Sequence, residues 1–167
     1  MSGKANECVS YIYKKTDSVL KGNIGPELES ILRGTEVSRL SFIPVYPNNN
    51  RITKNGRQYI NGKHANETCV SRDLFMPVVS SNVSKIIQKQ GDVHINIIKI
   101  GGNDNSIYQD VIFVYDAATN DELKSIALQL ENNNMLQVFA GCEGFEETFS
   151  SLIAIKHLSR RAWKVCE

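Results

Sequence analysis

The sequence predicts an α/β fold, a three-layer, open and mostly parallel sheet with helices on both faces and a β-hairpin flap inserted into it. Short apolar strands alternate with amphipathic helices along the last third of the chain, which is the pattern of parallel strands joined by right-handed crossovers. An Asn-Gly pair between two β-type runs predicts the hairpin. No linker or internal repeat divides the 167 residues, so residues 1–167 are predicted to form a single domain.

The individual elements follow from local residue patterns. Strands are predicted where β-branched and aromatic residues form short runs, and helices where apolar residues recur every three or four positions. Pro26 suits a first helical turn, where its missing N–H costs nothing, and Gly34 suits a C-terminal cap. Pro44 cannot donate to a strand ladder, so its end of the strand is expected at an edge or a bulge. The predicted strands are 9–14, 40–46, 93–100, 110–115 and 136–140, and the predicted helices are 26–33, 80–90 (with a serine cap), 121–131 and 145–165.

The polar segment of about residues 48–79 is predicted to form the flap. Asn55-Gly56 is the strongest short-range hairpin signal, and Asn61-Gly62 repeats it. A segment of this length exceeds what a connector needs, and the regular placing of its few apolar residues argues against disorder. His64 lies here, but a single exposed histidine is more often neither a catalyst nor a ligand.

The composition excludes several classes of function. The chain has 19 basic and 18 acidic side chains, without the basic excess that nucleic-acid binding requires. No apolar run approaches the roughly 20 residues of a membrane span, and the first ten residues lack the apolar core of a signal peptide. A cytoplasmic protein without a membrane partner is therefore expected. The four cysteines are scattered without a CxxC pair, so reduced thiols and no metal site are expected.

Ligands of open parallel sheets bind beyond the carboxyl ends of the strands, so the loops that follow strands are the candidate sites. The first, residues 14–25, contains three lysines and is called the lysine loop below. Its ammonium groups suit a carboxylate or phosphate, Asp17 and Asn23 suit hydroxyls, and Gly22 permits close backbone approach. A solvated loop that ends in a helix cap explains the same composition. The Walker pattern GxxxxGK[ST] is absent.

The loops after the last two strands are weaker candidates. Asp116 could hold a hydroxyl or a metal, although capping of the next helix by Thr119 or Asn120 accounts for most of that segment. Cys142 precedes the last helix, where a helix N-terminus lowers a thiol pKa. No histidine accompanies this cysteine, so a nucleophilic role is not expected. The turn at 141–144 is interpreted as an ordinary tight turn.

Three stretches of sequence together resemble a known family. YKKTDSVLKGNIG at 13–25 is similar to the pattern KKxDSTLRGN(I/V)G, and 44–77 is similar to a run from (F/Y)P through GR(T/I) and YVNG to ET, D and P. VYDAATNDEL at 114–123 and AGCEG at 140–144 are similar to VxDAxTxxDL and GSAG. These patterns, in this order, belong to the amino-terminal domain of the four-carbon acid sugar kinases, which phosphorylate acids such as threonate and erythronate with ATP. The resemblance extends from about Tyr11 to Phe149.

The resemblance implies that this domain binds the sugar acid while a separate, glycine-rich carboxyl-terminal domain binds ATP and Mg²⁺. The chain would then be the sugar-acid-binding portion of a kinase, incomplete alone, and ATP is not expected to bind to it alone. A non-catalytic binding module and an inactive remnant are the alternatives. Catalytic residues stay unknown. The substrate-binding candidates that the resemblance implies are Lys15, Asp17, Ser18, Lys21, Gly22, Asn23 and Arg51.

The chain departs from the family pattern at both ends and at two positions. No DDxTG(A/S)N loop precedes Val9 and no ATP domain follows, so a truncated domain that needs a separate ATP-binding domain or subunit is expected. Lys21 stands where the family tends to have Arg, which keeps the charge but loses the bidentate grip on a carboxylate. Cys142 replaces a serine. Because a missing strand exposes unpaired backbone, a homo-oligomer is expected. Whether the chain alone is an enzyme, and which acid it binds, stay open.

Overall fold

The structure is a computed structural model that describes residues 11–35, 37–102 and 110–162, with side chains as far as residue 154. The strands are β1 (Ile12–Lys15), β2 (Arg39–Ile43), β3 (Arg51–Lys54), β4 (Arg57–Ile60), β5 (Lys63–His64), β6 (His94–Ile98), β7 (Val111–Tyr115) and β8 (Val138–Gly141). The α-helices are α1 (Ile24–Gly34), α2 (Val83–Gln88), α3 (Asn120–Asn132) and α4 (Glu143–Ala162).

Five strands form the main sheet in the order β1-β8-β2-β7-β6, and all of its pairs are parallel. The central strand is β2, in which Phe42 pairs with Ala140 on one side and with Val114 on the other. Helix α1 connects β1 to β2, and α3 connects β7 to β8. Parallel neighbours require such crossovers because a tight turn cannot join them.

Helices cover both faces of this sheet. One apolar core joins α1 and α2 to the sheet and contains Leu28 and Val114. The other joins α3 and α4 to the opposite face and contains Phe145 and Phe113. Phe113 and Val114 lie on opposite faces because successive side chains of a strand alternate. The predicted three-layer α/β class is confirmed.

The element ends differ from the predicted ones by up to three residues. The expectation for Pro44 is wrong, because β2 lies at the centre of the sheet and simply ends at Ile43, before the proline removes a donor. The predicted serine cap of α2 is also wrong. Asn82 caps this helix, and its side chain accepts the N–H of Lys85 at 2.8 Å. The predicted strand residues 9–10 and helix residues 163–165 lie outside the described ranges.

A second, antiparallel sheet contains the predicted hairpin, in the order β3-β4-β5. Asn55 and Gly56 have φ of 51° and 66°, as the two central residues of a type I′ turn require. The hairpin crosses the carboxyl edge of the main sheet. It pairs with Ala117, just after β7, through Thr53. The flap bounds of 48–79 stay a prediction.

Candidate functional site

The lysine loop begins where β1 ends, at the carboxyl edge of the main sheet. Both the backbone N–H and the hydroxyl of Thr16 donate to the carbonyl oxygen of Gly141, at 2.7 and 3.0 Å. Thr16 is buried. These two bonds fix the start of the loop to the end of the neighbouring strand β8.

The middle of the loop presents Lys21 in a defined position. The carboxylate of Asp17 accepts the backbone N–H groups of Val19 and Lys21, both at 3.0 Å. Leu20 and Gly22, on either side of the lysine, have φ of 63° and 98°. A left-handed leucine costs about 1–2 kcal/mol and persists where its surroundings determine it. Here the leucine side chain is buried, with 3% exposed, so packing maintains the conformation.

Ser18 and Arg51 join the loop to the hairpin. The Nη1 of Arg51 donates to the Ser18 hydroxyl at 2.5 Å, and the Nε2 of Gln58 donates to the Ser18 carbonyl oxygen at 2.6 Å. Within the described ranges, Arg51 Nε and Gln58 Oε1 are buried and have no hydrogen-bond partner. Such atoms are rare in folded proteins, because an unpaired buried polar group costs about 1–3 kcal/mol.

Each lysine of the loop faces a carboxylate of the same chain. The nearest N–O distances are 2.9 Å for Lys14 to Glu27, 3.2 Å for Lys15 to Glu143 and 2.6 Å for Lys21 to Asp73. The hydrogen bond from Lys21 lowers the pKa of Asp73, and the backbone N–H groups of Met76 and Phe75 add to this effect. Together they lower this pKa to about 2. Asp73 is therefore ionised at neutral pH, and the loop cations already have internal anionic partners.

A cavity of about 510 Å³ lies between the lysine loop, residues 76–80 and helix α2. No acidic side chain occurs among its described lining residues. Gln90 closes one side, where its side chain accepts the N–H of Gly25 at 2.8 Å and donates to the Gly22 carbonyl oxygen at 3.0 Å. The residues that line the cavity are Leu20–Asn23, 76–80, Lys85, Ile86, Lys89 and Gln90.

The seven sequence-predicted site residues do not converge on one cavity. Lys21, Gly22 and Asn23 line the cavity together, and the side chain of Asn23 makes no cap bond to α1. The others have different surroundings: Asp17 bonds to the loop backbone, Ser18 and Arg51 bond to each other, and Lys15 pairs with Glu143.

Sequence reasoning missed four residues at this edge of the sheet. Lys85 of α2 and Lys89, the C-cap residue of this helix, both line the cavity. Asp73 and Glu143 pair with loop lysines. Asp73 belongs to the family-like run at 44–77, but no local pattern could have shown that it pairs with Lys21, which lies 52 residues away. Glu143 could have been noticed as a charged residue directly after a strand end.

Two other sequence-based candidates have structural roles here. Asp116 is buried, and its Oδ1 accepts the N–H of Gly56 at 3.0 Å, which fixes the hairpin turn to the end of β7. Burial raises its pKa. The predicted lowering of the Cys142 pKa is wrong: burial raises the pKa of this thiol to about 12. Of the two residues expected to cap α3, Thr119 and Asn120, Thr119 is the one that does so.

His64 is half-buried, not exposed as expected, and its ring lies 4.5 Å from that of Tyr59. In the described part of the chain, no three or more His, Cys, Asp or Glu residues come together as a metal site would require. None of the helices in the described ranges combines the length and apolarity needed to cross a bilayer.

Solved structures share this fold. A crystal structure of a Haemophilus influenzae protein superposes with a TM-score of 0.75 at 19% identity and covers 89% of this chain and 39% of its own. A domain of unknown function from Bordetella bronchiseptica, solved with bound citrate as a domain-swapped dimer, superposes with a TM-score of 0.66 at 20% identity. It covers 81% of this chain and 34% of its own.

Two relatives of known name are kinases of four-carbon sugar acids. A D-threonate kinase from Salmonella typhimurium is 32% identical over 82 residues, which are 49% of this chain and 19% of the kinase. A D-erythronate kinase from Heliobacterium modesticaldum is 26% identical over 165 residues, which are 91% of this chain and 38% of the kinase. The chain thus spans between about a fifth and two fifths of the length of these relatives.

A family model described as a sugar-binding N-terminal domain matches residues 1–149. This match covers most of the chain and includes the lysine loop, the hairpin and the five parallel strands. The chain belongs to the family of sugar-binding N-terminal domains found in four-carbon acid sugar kinases.

Proposed function

We propose that this chain binds the sugar acid for an ATP-dependent kinase of the threonate and erythronate class. The observation that carries the proposal is the cavity of about 510 Å³, which Lys21, Gly22 and Asn23 of the family motif line together. Its volume lies within the roughly 300–1,000 Å³ of small-molecule pockets. A four-carbon acid therefore fits inside it.

The charges around the cavity suit an anion. Lys21, Lys85 and Lys89 line it, and among the described residues neither Lys85 nor Lys89 has an ion-pair partner. A concave surface with one sign of charge raises the local concentration of ligands of the opposite sign. The amide of Asn23 and the backbone beside Gly22 supply donors and acceptors for hydroxyl groups.

The remaining predicted residues have different parts in this proposal. Asp17, Ser18 and Arg51 position the loop through the bonds described above. Lys15 stays a candidate contact, because its side chain is 54% exposed at the carboxyl edge, where open parallel sheets bind ligands.

Kinase activity requires ATP and Mg²⁺, and the described residues offer neither of two common sites for them. They contain no cluster of three metal-ligating side chains, and the sequence has no Walker loop. Bound ATP would supply the phosphoryl group, and its metal ion would neutralise the charge that develops during transfer. We propose that a separate domain or subunit binds the nucleotide, as the family resemblance implies.

We also propose that the chain forms homo-oligomers. Among the described strands, β1 lies at an edge of the main sheet, and Ile12 is 49% exposed there. An exposed strand edge favours pairing with another chain. Static light scattering should give a mass above 18.7 kDa, and a monodisperse monomer would contradict this part of the proposal.

A thermal melt with and without threonate or erythronate tests the proposed function. A ligand that binds only the folded state stabilises it by about 2.7 kcal/mol at one hundred times its Kd. We expect the acids to raise the midpoint, Lys21→Gln to abolish the shift, and Lys54→Gln, at an exposed lysine outside the cavity, to preserve it. If neither acid shifts a cooperative melt, the proposal fails. If ATP and Mg²⁺ add no further shift, the nucleotide binds elsewhere, as proposed.

A further inference from the structure

The Lys21–Asp73 pair differs from the other two lysine pairs of the loop. Lys14 and Lys15 pair with Glu27 and Glu143 outside the cavity, whereas Lys21 is a lining residue. The two side chains of the Lys21–Asp73 pair are 28% and 29% exposed, and their N–O distance is 2.6 Å. The lysine that faces the cavity is therefore held by a carboxylate, which is also the charged group of a sugar acid.

Asp73 also shapes the wall of the cavity. Its Oδ1 accepts the backbone N–H groups of Phe75 and Met76 at 3.0 and 2.9 Å, and Met76 lines the cavity. One carboxylate oxygen thus organises a turn while the other holds the cation. An asparagine at this position would keep the first role and lose the charge needed for the second.

The segment after Asp73 is weakly attached to the rest of the protein. Leu74 and Phe75 are both 93% exposed, so they bury almost no apolar surface. The next firm anchor is Val78, which is 5% exposed and whose N–H donates to the Val70 carbonyl oxygen at 3.1 Å. A segment with few buried contacts moves at low free-energy cost, so Asp73 can leave the lysine without unpacking the core.

The lysine itself is held in place during such a movement. Its backbone N–H remains bonded to the carboxylate of Asp17, and left-handed residues lie on both sides of it. Two carboxylates close to one ammonium group repel each other. An incoming carboxylate at Lys21 therefore competes with Asp73 for the same position.

We propose that Asp73 is a resident carboxylate that occupies the position of the ligand's carboxylate at Lys21, and that a sugar acid binds by displacing it. Asp73 is then a specificity-determining residue of the cavity. This inference rests on the proposed function.

The test compares Asp73→Asn with Glu27→Gln, which makes the same change of charge at a lysine pair outside the cavity. Isothermal titration calorimetry with threonate and erythronate gives the affinities, and erythritol serves as the uncharged ligand. The Lys21–Asp73 ion pair is partly exposed, and ion pairs of this kind contribute little free energy. Removing Asp73 as a competitor should therefore tighten binding of the acids by about two- to fivefold. Glu27→Gln should leave the affinity within error, and erythritol should bind both variants and the parent protein equally.

The outcomes separate this inference from the proposed function. If the parent protein binds an acid and Asp73→Asn binds it equally or more weakly, Asp73 is only structural and the inference is overturned. If neither protein binds either acid, the proposed function fails and the inference with it. A gain that is equal in Asp73→Asn and Glu27→Gln reflects net charge alone and also overturns the inference. Circular dichroism confirms that both variants are folded.

Discussion

Gly22→Ala and Gly34→Ala form a matched pair that tests the conformation of the lysine loop. A Cβ atom placed on either glycine meets no other atom within 4 Å, so neither substitution creates a clash. The two glycines differ in backbone conformation. Gly22 has a positive φ of 98°, whereas Gly34, the last residue of α1, does not have a positive φ. An alanine in a left-handed conformation costs about 1–2 kcal/mol, whereas alanine in a helix is favoured over glycine by about 0.5–1 kcal/mol.

We therefore expect opposite effects on stability. In a domain of this size, 1 kcal/mol shifts the melting temperature by about 2–4 °C. Gly22→Ala should lower the midpoint by about 2–8 °C, and Gly34→Ala should raise it by about 1–4 °C. Differential scanning calorimetry measures both. If the two variants shift in the same direction, or Gly22→Ala is neutral, the loop does not have the conformation on which the cavity depends.

Three further predictions concern charge, hydrogen bonding and thiol reactivity. The Asp73 pKa is lowered from 3.8 to about 2, so its stabilising contribution is present above pH 3.8 and is lost as the pH falls through 2. The difference in melting temperature between the parent protein and Asp73→Asn should accordingly shrink between pH 5 and pH 2, and a constant difference would contradict the ion pair. Ser18→Ala should reduce the free energy of unfolding in urea by about 1–2 kcal/mol, and its combination with Arg51→Ala should be less than additive because both remove the same bond. At pH 8, iodoacetamide should modify the exposed Cys69 at least about tenfold faster than Cys142, which is buried with a pKa raised to about 12. Mass spectrometry of the native protein measures this ratio, and equal rates would refute the burial of Cys142.

The fold class could be predicted because its signals are local. The run at 111–115 is apolar on both faces, as a strand covered by two helix layers must be. Asn55-Gly56 fixes a hairpin through two positive φ angles. The place of a strand within the sheet depends on partners distant in the sequence. The strand was therefore predicted to extend to residue 46 with an edge or a bulge at Pro44, whereas β2 ends at Ile43 in the centre of the sheet.

The candidate site could be predicted only as far as its residues lie in one continuous motif. Lys21, Gly22 and Asn23 share a cavity because the loop that joins them is short. The pKa of Cys142 was predicted from its position before a helix, but burial outweighs that effect. The surroundings of a charge come from tertiary packing, which the motif does not specify.

The pairing of Lys21 with Asp73 bears on how selective the cavity would be. An unpaired, partly buried ammonium group carries a desolvation cost, and an internal carboxylate offsets it before any ligand arrives. Under the exchange proposed above, a ligand must outcompete an anion of the same chain. A simple carboxylate such as acetate offers only the same charge and should bind more weakly than a polyhydroxylated acid. A polyhydroxylated acid adds hydrogen bonds to groups such as the Asn23 amide, so its hydroxyls, not its charge, would decide which acids bind.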